Sequence, residues 1–280
     1  MIGQRVFQNK VDELIRCSKF PRFSIIVAPK GYGKKVVSEY IASKLNATFV
    51  PCDCSVESVR KTIFNAYSST ERTLYMYYDC DDMSINSKNA LLKVTEESPN
   101  DTYFIITVCN LNNVLETMIS RGTVFYLDDY SPDDLREYAD LNNYSFAKSD
   151  MWVVDNVCCC PQDINEIHNV DIQNLCDLAD KFIQNIGCTM LANELKFTTN
   201  ISTKSDDGKI SPILMIRCIL NLCIYNLKSN ISKEDIDVFW IIIRESNVAL
   251  RELSEKSCNR QMIFDNFILR CHESIVGIGK

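Results

Sequence analysis

The sequence predicts an α/β core built on a parallel sheet, followed by an all-helical C-terminal half. Three observations carry this. From Phe23 to about Asp128, short apolar runs alternate with helix-period patterns, as strand–helix–strand units do. From Ser131 the strand patterns stop. From about Asp171 onward each segment carries an apolar stripe at helical spacing.

Taken in order, "FSIIVA" is the first strand and runs into a Gly-rich turn. "KVVSEYIASKL" reads as the helix that follows it. "TLYMYYD" is a second strand, with "SKNALLKVTEE" as its helix. "TYFIITVCN" and "TVFYLD" are two further strands, separated by the short helix "NVLETMI". "SPDDLREYADLNNY" opens with a Ser N-cap, Pro at the first helical position and acids in the first turn. "DMWVVDNV" and "PQDINEIHN" are two more short helices. Four longer helices follow: "DIQNLCDLADKFIQNI", "SPILMIRCILNLCIYNL", "SKEDIDVFWIIIRESNVALREL" and "NRQMIFDNFILRC". "NISTKSDDGKIS" is a polar loop between two of them. The division expected is a core at residues 1–130, a small helical unit at 131–170 and a larger helical unit at 171–280.

The chain has 280 residues, 46% hydrophobic and 24% charged, enough for a sizeable core. No run of 18 apolar residues is present and no apolar leader opens the chain, so no membrane span is expected. With 14 Cys and no sign of secretion, the thiols read as reduced and the location as cytoplasmic. The net charge of −7 argues against a protein coated in basic residues for nucleic acid. Cys52–Cys54 and Cys158–Cys160 lack the spacing of a zinc site, so no metal is assigned and Cys is read as a small buried apolar residue.

The chemistry-bearing stretch is "VAPKGYGKKV". A phosphate-binding loop is Gly, four residues, then Gly-Lys-Ser/Thr. Here Ala28 replaces the first Gly, and Gly31, Gly33 and Lys34 are present. Lys35 replaces the hydroxyl residue that ordinarily ligates Mg²⁺. Asp79 ends an apolar strand, as a Mg²⁺-holding Asp would, but Cys80 follows where a water-polarising Glu is wanted. A Gly/Lys-rich turn and an acidic strand end are the plain structural readings of both stretches.

From Ser87 onward the sequence becomes specific. Asn89-Ala90-Leu91-Leu92-Lys93, Glu96-Glu97-Ser98-Pro99, the strand to Thr107-Val108-Cys109-Asn110, and Ser120-Arg121-Gly122 run in that order. With "MIGQ" at the start and "SPDDLREY" after the last strand, this resembles the clamp-loader branch of the AAA+ ATPases. The likeness is collinear over essentially all 280 residues. It implies an AAA+ core, a helical lid and a helical collar that holds a hetero-pentamer of clamp-loader subunits. It also implies action on a sliding clamp and primer–template DNA. Ser120 and Arg121 match the family's box, in which the arginine reaches a neighbouring subunit's ATP; Gly122 stands where that box has Cys. Asn110 matches the sensor position. The lid's usual arginine is missing, since "CCPQDIN" offers Gln162 and Asp163.

The departures at Ala28, Lys35, Cys80 and Asp163 fall on the hydrolysing side, while the Ser120-Arg121 donor side is kept. That resembles the delta-prime type of subunit, which hydrolyses no ATP itself, and ATP and Mg²⁺ would then bind weakly or turn over nowhere in this chain. The Cys-rich zinc module of many such bacterial subunits is absent, and the compact form suits a phage or mobile-element system. Two alternatives stay open: a hydrolysing subunit with a variant loop, and an AAA+-fold scaffold without catalysis.

Overall fold

The computed structural model describes residues 1–96, 99, 101–188, 191, 194, 210–228, 233–254 and 259–278. Glu97 and Ser98 of the Glu96–Pro99 motif lie outside these residues, as do positions 200–209 of the polar loop and 255–258 near the C-terminus. The chain forms two compact units, Met1–Asp134 and Leu135–Lys280.

The first unit carries a five-stranded, all-parallel sheet. Its strands are β1 (Phe23–Val27), β2 (Thr48–Cys52), β3 (Thr73–Tyr77), β4 (Thr102–Val108) and β5 (Thr123–Tyr126), in the order β2-β3-β4-β1-β5. β1, β3 and β4 are the near-continuous apolar runs of a sheet covered on both faces, and their residues are buried almost throughout. Ile25, Tyr75, Tyr77, Phe104 and Ile106 point into one core with Val59 and Leu91. Tyr75 and Phe104 stack with centroids 5.4 Å apart.

The helices of this unit are α1 (Arg5–Arg16), α2 (Lys34–Leu45), α3 (Val56–Ser68), α4 (Ile85–Glu96) and the single turn α5 (Glu116–Ile119). Three elements of the unit add to what the sequence predicted: α1, β2 and α3. β2 is an edge strand, half-exposed and carrying Pro51, which suits an edge because proline donates no ladder hydrogen bond. α3 has a Ser55 N-cap whose hydroxyl accepts from the Ser58 N–H at 3.2 Å.

α6 (Pro132–Leu141) begins at the end of the first unit, capped by Ser131, whose Oγ accepts from the Asp134 N–H. The second unit continues with α7 (Met151–Asn156), α8 (Pro161–His168) and α9 (Ile172–Asn185). It ends in α10 (Pro212–Leu227), α11 (Lys233–Ser254) and α12 (Arg260–Ile278). α10 is the central helix of this bundle, with Leu214, Met215, Ile216, Cys218, Ile219 and Cys223 buried. Phe182 of α9 stacks on Phe267 of α12 at 5.5 Å. Cys80, Cys158, Cys160, Cys218, Cys223 and Cys271 are buried, whereas Cys17, Cys159 and Cys188 are exposed. Among the described residues no helix is long and apolar enough to cross a membrane.

Candidate functional site

The Gly-rich turn joins β1 to α2 at the carboxyl end of the sheet, where parallel α/β folds place their ligands. The Ala28 N–H donates to the Val108 carbonyl at 3.0 Å, so the turn leaves the sheet only after one more ladder bond. Gly31 and Gly33 have φ of 86° and 74°, a left-handed conformation that favours glycine. Gly33 is the N-cap of α2, which leaves the first-turn N–H groups at the loop.

Lys34, the first residue of α2, folds back under the loop. Its Nζ donates to Asp79 Oδ1 at 3.0 Å and lies 3.3 Å from Cys109 Sγ. Its side chain is only 9% exposed. Lys35 leaves in another direction: its side chain is 72% exposed and pairs loosely with Glu39 at 3.9 Å.

The turn after β3 supplies the other wall. Asp79 has φ 49°, and its N–H donates to Thr107 Oγ1 at 3.0 Å, which aims the carboxylate at Lys34. The Cys80 side chain points into the core, 2% exposed, with its thiol donating to the Tyr77 carbonyl at 3.4 Å. The adjoining Cys54 thiol, and then burial, hold the Cys80 thiol well above its usual pKa. A sulfur so placed cannot activate water at the loop. Asp81 accepts from the Cys109 N–H at 2.9 Å, the Asn110 N–H at 3.0 Å and Asn113 Nδ2 at 3.2 Å, tying this turn to the end of β4. Asn110 Oδ1 accepts from the Asn112 N–H at 2.9 Å and so caps the turn beyond β4.

Asp79, Asp81 and Cys109 bring ligand atoms within 4.8 Å of one another, the one such group among the described residues. The set does not suit Mg²⁺, which takes six oxygens in octahedral array. One donor is a thiol, Lys35 offers no oxygen, and the Lys34 ammonium already lies 3.0 Å from Asp79.

Beside the loop lies a clasp that sequence reasoning missed. Gln4 and Asp128 exchange two hydrogen bonds: Gln4 Nε2 donates to the Asp128 carbonyl, and the Asp128 N–H donates to Gln4 Oε1, both at 2.6 Å. The Asp128 carboxylate accepts from the Val6 and Phe7 N–H groups, capping α1. The Tyr130 hydroxyl donates to the Tyr32 carbonyl at 3.2 Å, and Tyr32 donates to Asp129 Oδ1 at 3.0 Å. The two rings meet edge-on, 5.6 Å apart. The "GQ" pair was a visible signal, but its partners lie over 120 residues away.

Ser120 and Arg121 sit on a separate element, at the C-terminus of α5. Ser120 Oγ donates to the Thr117 carbonyl at 3.1 Å, and Arg121 Nη1 donates to the same carbonyl at 2.9 Å. Arg121 is exposed. Gly122 is explained by its neighbour, because a Cβ there would come within 2.8 Å of the buried Phe23 ring. Gly122→Cys therefore overpacks the core and should cost about 1–3 kcal/mol, read as a lowered urea midpoint; an unchanged midpoint would refute this packing account.

In the second unit, Asp163 serves structure. It is 8% exposed and accepts from the Cys159 and Cys160 N–H groups at 2.8 and 3.1 Å, capping α8. It also pairs with Arg217 Nη1 of α10 at 2.6 Å. Burial pushes the nearby Cys160 thiol up to about 12, so it behaves as an apolar residue.

Of the residues singled out from sequence, Gly31, Gly33, Lys34 and Asp79 converge on one corner. Lys35 faces solvent, Asn110 caps a turn, and Ser120–Arg121 stand apart on α5. Cys109, Asp81, Asp128 and Tyr130 complete the surroundings; the sequence placed Asp81 in the adjoining turn and Cys109 at the strand end without giving either a site role, and Asp128 and Tyr130 were not anticipated.

Residues 53–131, from before α3 to the start of α6, match the family model described as DNA polymerase III, delta subunit. The chain is 25% identical over 166 residues to the DNA polymerase III subunit gamma of Buchnera aphidicola subsp. Schizaphis graminum, covering 48% of this chain and 46% of that protein. It is 23% identical to the same-named protein of Buchnera aphidicola subsp. Acyrthosiphon pisum, covering 53% and 52%. The chain thus spans about half the length of the curated relatives it matches. Among solved structures, the RuvB Holliday junction branch migration motor of Thermotoga maritima superposes with a TM-score of 0.51 at 14% identity, over 84% of this chain and 80% of that one. At that identity the likeness establishes the fold: an α/β core on a parallel sheet followed by a helical region.

Proposed function

We propose that the chain is a clamp-loader AAA+ protein of the DNA polymerase III type, and within that family the delta-prime-like subunit of a sliding-clamp loader. Its own nucleotide site is degenerate, and it donates Arg121 to a neighbouring ATPase subunit. Residues 1–130 form the nucleotide-binding-like core, 131–170 the lid and 171–280 the collar of a hetero-pentamer. The assembled ring opens a sliding clamp and sets it on primer–template DNA.

The observation that carries this reading is the Lys34–Asp79 pair at 3.0 Å, beside a Cys80 thiol turned into the core. The lysine that should meet phosphate and the aspartate that should hold metal neutralise each other. The buried Cys80 thiol, in the place of a water-polarising Glu, can neither orient nor deprotonate water. By contrast Arg121 is exposed, and a guanidinium aimed at a neighbour's phosphates stabilises charge that develops in phosphoryl transfer. Ser120, at the same helix end, shares its carbonyl acceptor and helps set its direction.

The likeness to gamma subunits supports a second reading, a hydrolysing clamp-loader subunit with a variant loop. Purified chain given ATP and Mg²⁺ separates the two. The expected result is no turnover above background, with Lys34→Ala indistinguishable from the parent. Turnover that Lys34→Ala abolishes would overturn the proposal in favour of the second reading.

A further inference from the structure

Two thiols lie directly beneath the Asp79–Asp81 turn, and neither the phosphate-loop corner nor Arg121 uses them. Cys54 stands in the connection from β2 to α3, and Cys80 in the turn after β3. Their Sγ atoms are 3.7 Å apart. The backbone enforces this proximity. β2 and β3 pair in parallel with Cys52 opposite Tyr77, so both chains leave the same end of the sheet side by side. The sulfurs are then oriented alike, Cys54 donating to the Tyr78 carbonyl at 3.3 Å and Cys80 to the Tyr77 carbonyl at 3.4 Å. A disulfide needs sulfurs about 2.05 Å apart, so closing the pair takes an approach of roughly 1.7 Å.

We propose that Cys54 and Cys80 are a reversible modification site, forming an intrachain disulfide by exchange with a low-molecular-weight disulfide of the glutathione class. Accessibility fixes the order of steps. Cys54 is half-buried and reachable, whereas Cys80 is 2% exposed. Cys54 loses its proton and attacks one sulfur of the small disulfide; that S–S bond breaks and one small thiol leaves, carrying the proton. Cys80 then loses its proton and attacks Cys54 Sγ, expelling the second small thiol. The two protein thiols are oxidised by two electrons, and the small disulfide is reduced to two thiols. Cys80 reacts because it is held against its target, not because its thiolate is stabilised.

The bond would join positions 26 apart in sequence and fix the residue between Asp79, which grips Lys34, and Asp81, which grips the end of β4. Oxidation therefore stiffens the corner of the fold that holds the phosphate-like loop.

The test is to equilibrate the intact protein with oxidised glutathione and map its peptides without reduction. The expected result is a loss of about 2 Da, a linked Cys54–Cys80 peptide pair, and full reversal by dithiothreitol. Cys54→Ser should abolish the linked pair, and Cys188→Ser, at an exposed thiol, should leave it unchanged. A bridge from Cys54 to Cys52 would overturn the proposal. So would mixed disulfides confined to Cys17, Cys159 and Cys188. Because the parent chain alone gives the decisive peptide map, a misfolded variant does not shelter the idea.

Discussion

Asp163→Arg, which introduces the basic residue that the clamp-loader resemblance implies for this position, lowers the stability of the helical unit by about 3–5 kcal/mol. The parent aspartate is buried and does two jobs at once. It caps α8 through two backbone N–H groups, and it neutralises Arg217 across to α10 at 2.6 Å. An arginine there leaves both N–H groups without their carboxylate and sets two guanidinium groups side by side in a site where Arg217 is itself largely shielded. Removing one partner of a buried pair is costly because the remaining charge stays desolvated. Asp163→Asn, which keeps an acceptor for the cap and loses the charge, should fall between the two. Urea titration checks this: the midpoint drops with little change in slope. A shift smaller than about 1 kcal/mol would mean the ion pair contributes nothing net. The result also bears on the proposed function, since Asp163 is committed to packing with Arg217 and the α8 cap and is not available to a nucleotide.

On the proposed function, Arg121→Ala reduces ATP turnover at the neighbouring site it would reach by about 10³-fold, the scale on which arginine fingers act. Assembly persists, because the side chain is exposed and its hydrogen bond to the Thr117 carbonyl contributes only about 1 kcal/mol. Arg121→Lys recovers little, since an ammonium cannot present the planar fork that spans two phosphate oxygens. Turnover measured in the complex co-purified with this subunit, alongside its composition, reads both effects. Loss of the complex itself would assign Arg121 to assembly instead.

Much of the fold was legible where one physical signal dominated. β1, β3 and β4 are apolar runs because both sheet faces are covered, and Ser131, Asp171 and Ser211 announced helix starts that the structure bears out. α1 was hidden because its cap comes from Asp128, far along the chain, and because it buries little beyond Phe7 and Val11. β2 was hidden because an edge strand with proline and half-exposed residues shows neither clean alternation nor a continuous run.

The candidate site divides the same way. The glycines, Lys34 and Asp79 are a spacing that can be read along one strand–turn–helix. Cys109, Asp128 and Tyr130 arrive through the pairing of β4 with β1 and of β1 with β5, and Asp81 reaches the end of β4 through the pairing of β3 with β4; no local pattern shows these meetings. Lys35 is instructive. The sequence showed that it replaces a hydroxyl residue, and its geometry turns it to solvent, so what the position lacks is an oxygen.

The most direct test of the central claim compares ATP turnover in two otherwise identical clamp-loader complexes, one carrying Lys34→Ala in this subunit and the other Arg121→Ala. The account predicts that Lys34→Ala leaves turnover within about twofold of the parent, while Arg121→Ala removes the share of the neighbouring site, about 10³-fold at that interface. The reverse pattern, with Lys34→Ala abolishing turnover and Arg121→Ala silent, would contradict it.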